Sequence, residues 1–228
     1  MHITKKFFVR AISPLLVSVP LLLGLGGAGQ QAQTPPRVQF SKADGETLDR
    51  VSAYLNGVHS MKGRFTQIGP QGQIDRGTFY LQRPGKVRFE YDAPSPLLIV
   101  ADGQTIAVAN KRLNTVDRYP VSETPFSFFL GDKIDLRHGQ MVMAVKTEPG
   151  TITLRARTSR LRYTSNLNFM FSAPGIELRQ WVVTDPQGGT TTIALDQVET
   201  GAAIAASVFA LPKKQPAPTT PPQTSPSK

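Results

Sequence analysis

The chain has 228 residues, 26 Lys+Arg against 16 Asp+Glu, a formal net charge of +10 and no cysteine. The missing thiol excludes a disulfide framework, a cysteine nucleophile and a cysteine metal site. The positive excess is scattered, no nucleic-acid-binding motif accompanies it, and it reports solubility and attraction to anionic surfaces.

At the N-terminus Lys5, Lys6 and Arg10 precede the apolar run Ala11–Leu25, which gives way to Gly26, Gly27, Ala28 and Gly29. That order predicts a cleaved secretory signal peptide over residues 1–29 and an exported product. The run is broken by Pro14 and Pro20 and is too short for a comfortable membrane span. Taking its three cations off the formal +10 leaves +7. With no cysteine after the leader, the expected product is soluble, not lipid-anchored.

Ser41–Met61 reads as one long helix. Leu48, Val51, Leu55 and Val58 form a single apolar stripe at spacings of three and four, the pattern of a helix packed on a core. Ser41 with Asp44 resembles a capping box, and Gly63 marks the exit. Arg64–Ile68 follows as a strand, and a Gly-Pro-Gln-Gly loop leads to Gly77–Val100, the most informative stretch. There Phe79/Leu81 and Val87/Phe89/Tyr91 alternate on either side of Arg83-Pro84-Gly85-Lys86, two antiparallel strands joined by a tight turn. Residues 79, 81 and 83 share one face of an extended strand, so a guanidinium ends a row that should point inward. Either the strand stops at Gln82 and Arg83 turns to water, or Arg83 sits at the rim of an apolar concavity. In the second case it needs carbonyl or carboxylate acceptors, because an unpaired buried charge is very costly.

Leu97–Val100 and Thr105–Ala109 flank Asp102-Gly103, a hairpin signal, and a turn at Asn110–Asn114 leads to Thr115–Tyr119. Glu123–Gly131 interrupts the strand rhythm as a short helix, with Thr124 as N-cap, Pro125 in the first turn and Gly131 past the end. Phe126, Phe128, Phe129 and Leu130 cover nearly all its sides, so it serves either as a plug in a barrel core or as a lid over a cavity. The chain then returns to strands: Met141–Lys146 and Thr151–Arg157 about Pro149-Gly150, Leu167–Phe171 and Glu177–Thr184 about Pro174-Gly175, and Thr190–Leu195 after a Pro-Gln-Gly-Gly turn. So many hairpins predict one large antiparallel sheet that must curl or close. The Pro-, Ser- and Thr-rich residues 213–228 cannot form a core and predict a disordered tail, which leaves a single domain over 37–212.

Little in the sequence points to catalysis. His2 leaves with the leader, and His59 and His138 lie at a helix end and in a polar loop. Asp132, Asp135 and His138 read as a solvated loop in preference to a metal site. No nucleophile elbow, phosphate loop or paired carboxylates stand out. The expectation is a non-enzyme without cofactor or metal.

The order of a helix, RFTQ (Arg64–Gln67), GTFYLQRPGKVRFEY (Gly77–Tyr91), LLIVADGQTI (Leu97–Ile106), TPFSFFL (Thr124–Leu130) and the closing SVFALP (Ser207–Pro212) resembles the periplasmic outer-membrane lipoprotein carrier family, LolA. The resemblance covers nearly all of residues 42–212. It implies a mainly β (α+β) fold: an unclosed antiparallel half-barrel with a long N-terminal helix and a short helical lid over an apolar cavity. It implies a monomer that takes acylated lipoproteins from an inner-membrane ABC release complex and hands them to an outer-membrane acceptor or to the outer membrane itself. Arg83 then holds the empty cavity shut through lid carbonyls. The implied cavity residues are Phe65, Phe79, Leu81, Phe89, Leu98, Ile99, Val108, Phe169, Phe171 and Trp181, with Phe126, Phe128, Phe129 and Leu130 on the lid. Two other uses of such a fold remain open at this point, a periplasmic carrier for another lipid (a glycolipid or hopanoid) and a non-transporting sensor domain.

Overall fold

The computed structural model describes residues 38–124, 127–139, 141–158 and 165–213. The expected signal peptide, most of the Pro-rich tail, and Pro125 and Phe126 lie outside them. One helix, α1 (Lys42–Gly57), starts under Ser41, whose hydroxyl oxygen accepts from the Asp44 amide at 3.1 Å. Its buried face carries Leu48, Val51 and Leu55. The helix ends four residues before the expected Met61, because Ser60 and Met61 already belong to a strand. Val58 and Met61 nevertheless keep the apolar stripe going, since both still point inward and are buried.

A single eleven-stranded sheet follows: β1 (Ser60–Ile68), β2 (Ile74–Gln82), β3 (Lys86–Tyr91), β4 (Leu97–Asp102), β5 (Thr105–Asn110), β6 (Thr115–Pro120), β7 (Val142–Glu148), β8 (Thr151–Thr158), β9 (Ser165–Ser172), β10 (Leu178–Thr184) and β11 (Thr190–Thr200). Its order is β6-β5-β4-β3-β2-β1-β11-β10-β9-β8-β7, antiparallel throughout. Two meanders are therefore joined through β1 and β11, and the terminal strands β6 and β7 leave the sheet unclosed. A flat sheet this wide is rare. It curls around α1, and the helix stripe and the inward strand positions merge into one core.

The outer face is not uniformly wet. Leu98 and Val100 of β4 and Ala109 of β5 form a second apolar cluster, joined by Val116 and Leu211. The C-terminal segment covers it: the short turn Ala206–Phe209 lies over β3 and β4, and Phe209 is buried. Arg88 donates to the Val208 carbonyl at 3.3 Å and Arg118 to that of Pro212 at 2.8 Å, pinning the strap. The β4 run LLIV is thus covered on both faces, which is why it shows no alternation.

Between β6 and β7 the chain makes a turn, Val121–Glu123, and a one-turn helix, α2 (Ser127–Leu130). The sequence suggested one continuous helix over Glu123–Gly131. Instead Thr124 closes the first turn, its hydroxyl donating to the Val121 carbonyl at 2.8 Å, and among the described residues of this stretch the α-helical part is α2.

Candidate functional site

The last carbonyls of a helix have no partner within it. At the end of α1 this need meets Arg83, the first residue past β2. One Arg83 terminal nitrogen donates to the Leu55 carbonyl. The other donates to Asn56 Oδ1 at 3.2 Å, to the Gly131 carbonyl at 2.6 Å and to the Asp132 carbonyl at 3.0 Å. Nε adds a second bond to Gly131, at 3.2 Å. One planar guanidinium, with five fixed donors, thereby ties the carboxyl end of α1 to the carboxyl end of α2. Burial pulls Arg83 down from its ordinary value, and Asp132 works against that. The group nonetheless remains a cation, and the electronegative helix end suits one.

Other bonds extend the same seam. Asn56 Nδ2 donates to the Ile134 carbonyl at 2.7 Å, while its Oδ1 accepts from the Ile134 amide at 3.0 Å. Ser52 Oγ accepts from the Leu136 amide at 3.0 Å, and Arg137 pairs with Asp49 at 2.6 Å. Asp49, Ser52 and Asn56 fall at helical spacings of three and four, so one polar stripe of α1 holds the segment after the lid. Across the β2–β3 turn, the Gly85 amide donates to the Leu130 carbonyl at 2.9 Å. Gly85 sits at φ +76°, and a Cβ there would lie 2.5 Å from Gly103 Cα. The positive φ and the close approach to the β4–β5 turn both call for glycine at this position.

Beneath the seam the residues are apolar. Phe128 stacks on Phe169 with centroids 4.1 Å apart, and Phe129 meets Trp181 at 5.6 Å and Phe169 at 6.2 Å. Phe89 lies between Phe79 and Trp181, 6.1 Å from each. A residual cavity of about 20 Å³ remains among Leu55, Val58, Met61, Phe79, Leu81, Arg83, Val87, Phe89, Phe129, Leu178, Trp181 and Leu195. That is room for about one water molecule. Arg83 is the one charged residue in the lining, and it stands at the rim.

Of the residues suggested from sequence, Phe79, Leu81, Arg83, Phe89, Phe129 and Trp181 line this cavity. Phe65, Ile99, Val108, Phe128, Leu130, Phe169 and Phe171 belong to the surrounding core without lining it. Leu98 does not belong to the site: it points out of the sheet into the cluster under the C-terminal strap. Sequence reasoning passed over Leu55, Val58, Met61, Val87, Leu178, Leu195 and Asn56. The helix stripe and the inward parity of β3 contained the signal for the first four. Asn56 had none, since its partners, the Ile134 backbone and Arg83, lie 78 and 27 positions away. Among the described residues no group of His, Asp and Glu is arranged to hold a metal ion. His138 Nδ1 lies 3.0 Å from Asp135 on the exposed surface, while the Asp132 carbonyl faces Arg83.

The family model described as outer membrane lipoprotein carrier protein LolA matches residues 56–212, the span that runs from the seam through the strap. The chain belongs to this family. The outer-membrane lipoprotein carrier protein of Cupriavidus necator is 27% identical over 183 residues, covering 73% of this chain and 84% of that protein. The protein of the same name from Pseudomonas syringae pv. tomato is likewise 27% identical over 183 residues, with 73% and 84% covered. Among solved structures, an uncharacterized conserved protein from Thermus thermophilus superposes with a TM-score of 0.47 at 13% identity, covering 75% of this chain and 96% of that one.

Proposed function

We propose that this LolA-family chain takes up the acyl chains of its cargo between α2 and the concave sheet, with Arg83 as the latch that keeps the empty site shut. Membership in the family gives the function in outline, that of a periplasmic lipoprotein carrier. The finer mechanism rests on one observation: the Arg83 guanidinium bridges α1 and the lid carbonyls at the rim of an otherwise apolar cavity. The closed cavity has no room for a hydrocarbon chain, so loading requires α2 to move out and the bonds from Arg83 to break. Burying an acyl chain gains roughly 0.8 kcal/mol per methylene, and the latch opposes that gain. The donor on this reading is an inner-membrane ABC release complex, and the recipient is an outer-membrane acceptor or the outer membrane itself. Export through the signal peptide over 1–29, its removal, and a monomeric, cofactor-free and non-catalytic mode of action complete the proposal.

Native mass spectrometry of the protein mixed with a triacylated lipoprotein and with its unacylated form tests it. A one-to-one complex with the acylated form alone is the expected result. Equal binding of both forms, or a tightly held free glycolipid that no lipoprotein displaces, would overturn the acyl-carrier mechanism.

A further inference from the structure

The concave face of β1–β3 descends from the latch in ordered pairs. Leu81 stands opposite Val87, Phe79 opposite Phe89, and Gly77 opposite Tyr91. On the other side Phe65 pairs with Gly77, and Gln67 with Asp75. The first two levels line the cavity; Phe65, Tyr91 and Gln67 lie below it. Phe65 fills the space over Gly77, where a Cβ would fall 2.6 Å from its ring, and it packs edge-on against Phe89 at 5.1 Å and Tyr91 at 5.0 Å. Beneath that ring the face of β1–β3 turns polar, while β11 sets the buried Ile193 beside Gln67. The Tyr91 hydroxyl donates to Gln67 Oε1 at 2.7 Å, with Tyr91 6% and Gln67 9% exposed. Burial, and secondarily the charge of Asp75, pushes the Tyr91 hydroxyl above its ordinary value, so it stays a donor. The carrier mechanism assigns this buried polar pair no task.

We propose that the Tyr91–Gln67 pair is the floor of the acyl slot and sets the length of chain the protein accepts. From Arg83 down to Gly77 the wall runs six residues, roughly 20 Å at strand rise. A chain reaching further must break a fully buried hydrogen bond and leave two polar atoms facing hydrocarbon. That costs affinity about tenfold or more, whereas one further methylene returns only about fourfold. The first methylenes past the floor are therefore a net loss, and affinity levels off instead of climbing.

This inference rests on the acyl-carrier reading, and one titration separates the two. N-acyl peptides lengthened stepwise from octanoyl to stearoyl are titrated by calorimetry into the wild type and into Tyr91→Phe/Gln67→Leu, which keeps the shape and removes the polar pair. The wild type is expected to gain about fourfold per methylene and then to level off, and the double variant to continue climbing for further methylenes. A thermal melt checks that the variant is folded, and the milder Tyr91→Phe replaces it otherwise, with a smaller displacement of the break. An identical break point in the wild type and the folded variant would overturn the floor while leaving the carrier mechanism intact. No acyl-dependent binding by the wild type at any length would overturn both.

Discussion

Replacing Arg83 with leucine tests the latch most directly, because it should move stability and affinity in opposite directions. The guanidinium makes lid-side bonds to the Gly131 and Asp132 carbonyls and helix-side bonds to the Leu55 carbonyl and Asn56. Only the lid-side bonds must break on opening. Hydrogen bonds to a charged donor contribute about 1.5–3 kcal/mol. Arg83 is only half-buried and regains water when the lid leaves, so about 2 kcal/mol for the pair of carbonyls is a fair figure. At 1.4 kcal/mol per factor of ten, that shifts the closed-to-open equilibrium by about thirtyfold. The apparent dissociation constant equals the intrinsic one divided by the open fraction, so Arg83→Leu should bind an acylated peptide up to about thirtyfold more tightly and release it more slowly to acceptor membranes. Its melting temperature should fall, because the α1 carbonyl loses its donor. Trp181, the one tryptophan in the chain, lies on the cavity wall beside Phe129, and its fluorescence reports loading directly. A folded Arg83→Leu protein that binds no more tightly than the wild type, or releases cargo equally fast, would refute the latch.

Three further outcomes follow from the same geometry. Phe129→Glu costs the closed form its ring contacts with Trp181 and Phe169, but in the loaded form it sets a carboxylate against the acyl chain, and an unpaired charge facing hydrocarbon is the larger cost; acyl-peptide loading should fall at least tenfold in a fluorescence titration, and unchanged loading would remove α2 from the site. Asn56→Ala deletes both bonds to Ile134 and one to Arg83, so amide exchange at residues 130–136 should speed up about tenfold, with acyl affinity rising less than in Arg83→Leu; exchange at the wild-type rate would show that the seam does not hold the lid. Arg88, 2.9 Å from Glu90 and bonded to the strap, holds the Glu90 carboxyl below its ordinary 4.5. This stabilisation is present above pH 4.5 and is lost as pH falls through the lowered value. Glu90→Gln should therefore flatten the acid side of a melting-temperature profile, and a profile parallel to that of the wild type would count against the link.

Arg83 was only half legible: its parity with Phe79 and Leu81 left open a turn to water past Gln82 or a rim position with acceptors. The strand does stop at Gln82, yet the guanidinium turns to the carbonyls of Leu55, Gly131 and Asp132. The alternating strands were legible locally, and their number implied a sheet that must curl. Faces failed where alternation failed. Leu98 lies in a continuous apolar run, and its outward burial depends on Leu211, more than a hundred residues on. The end of α1 was placed late because Val58 and Met61 continue the helical spacing by chance while pointing inward from an extended segment. Asn56 was invisible because its partners, the Ile134 backbone and the Arg83 guanidinium, lie 78 and 27 positions away and leave no local signature. The Tyr91–Gln67 pair was half visible. Tyr91 ended an inward row, but nothing local showed that its hydroxyl would meet a side chain from β1.

The lid rings also bear on how cargo can leave. In the closed state Phe128 and Phe129 are buried against Phe169 and Trp181, occupying the ground an acyl chain would take. Burying each ring stabilises the empty form by about 1.5–3 kcal/mol, which matches roughly four to eight methylenes for the two together. On the proposed mechanism, loading exchanges one set of apolar contacts for another, and the first methylenes up to that number only offset the rings they displace. An open, empty slot would bind each methylene at full value and hold its cargo too tightly to surrender. A slot that refills itself with its own phenylalanines and then re-forms the Arg83 bonds releases against a much smaller difference. Rings and latch therefore act in the same direction: each lowers the free energy of the empty carrier, and release is favoured by the sum.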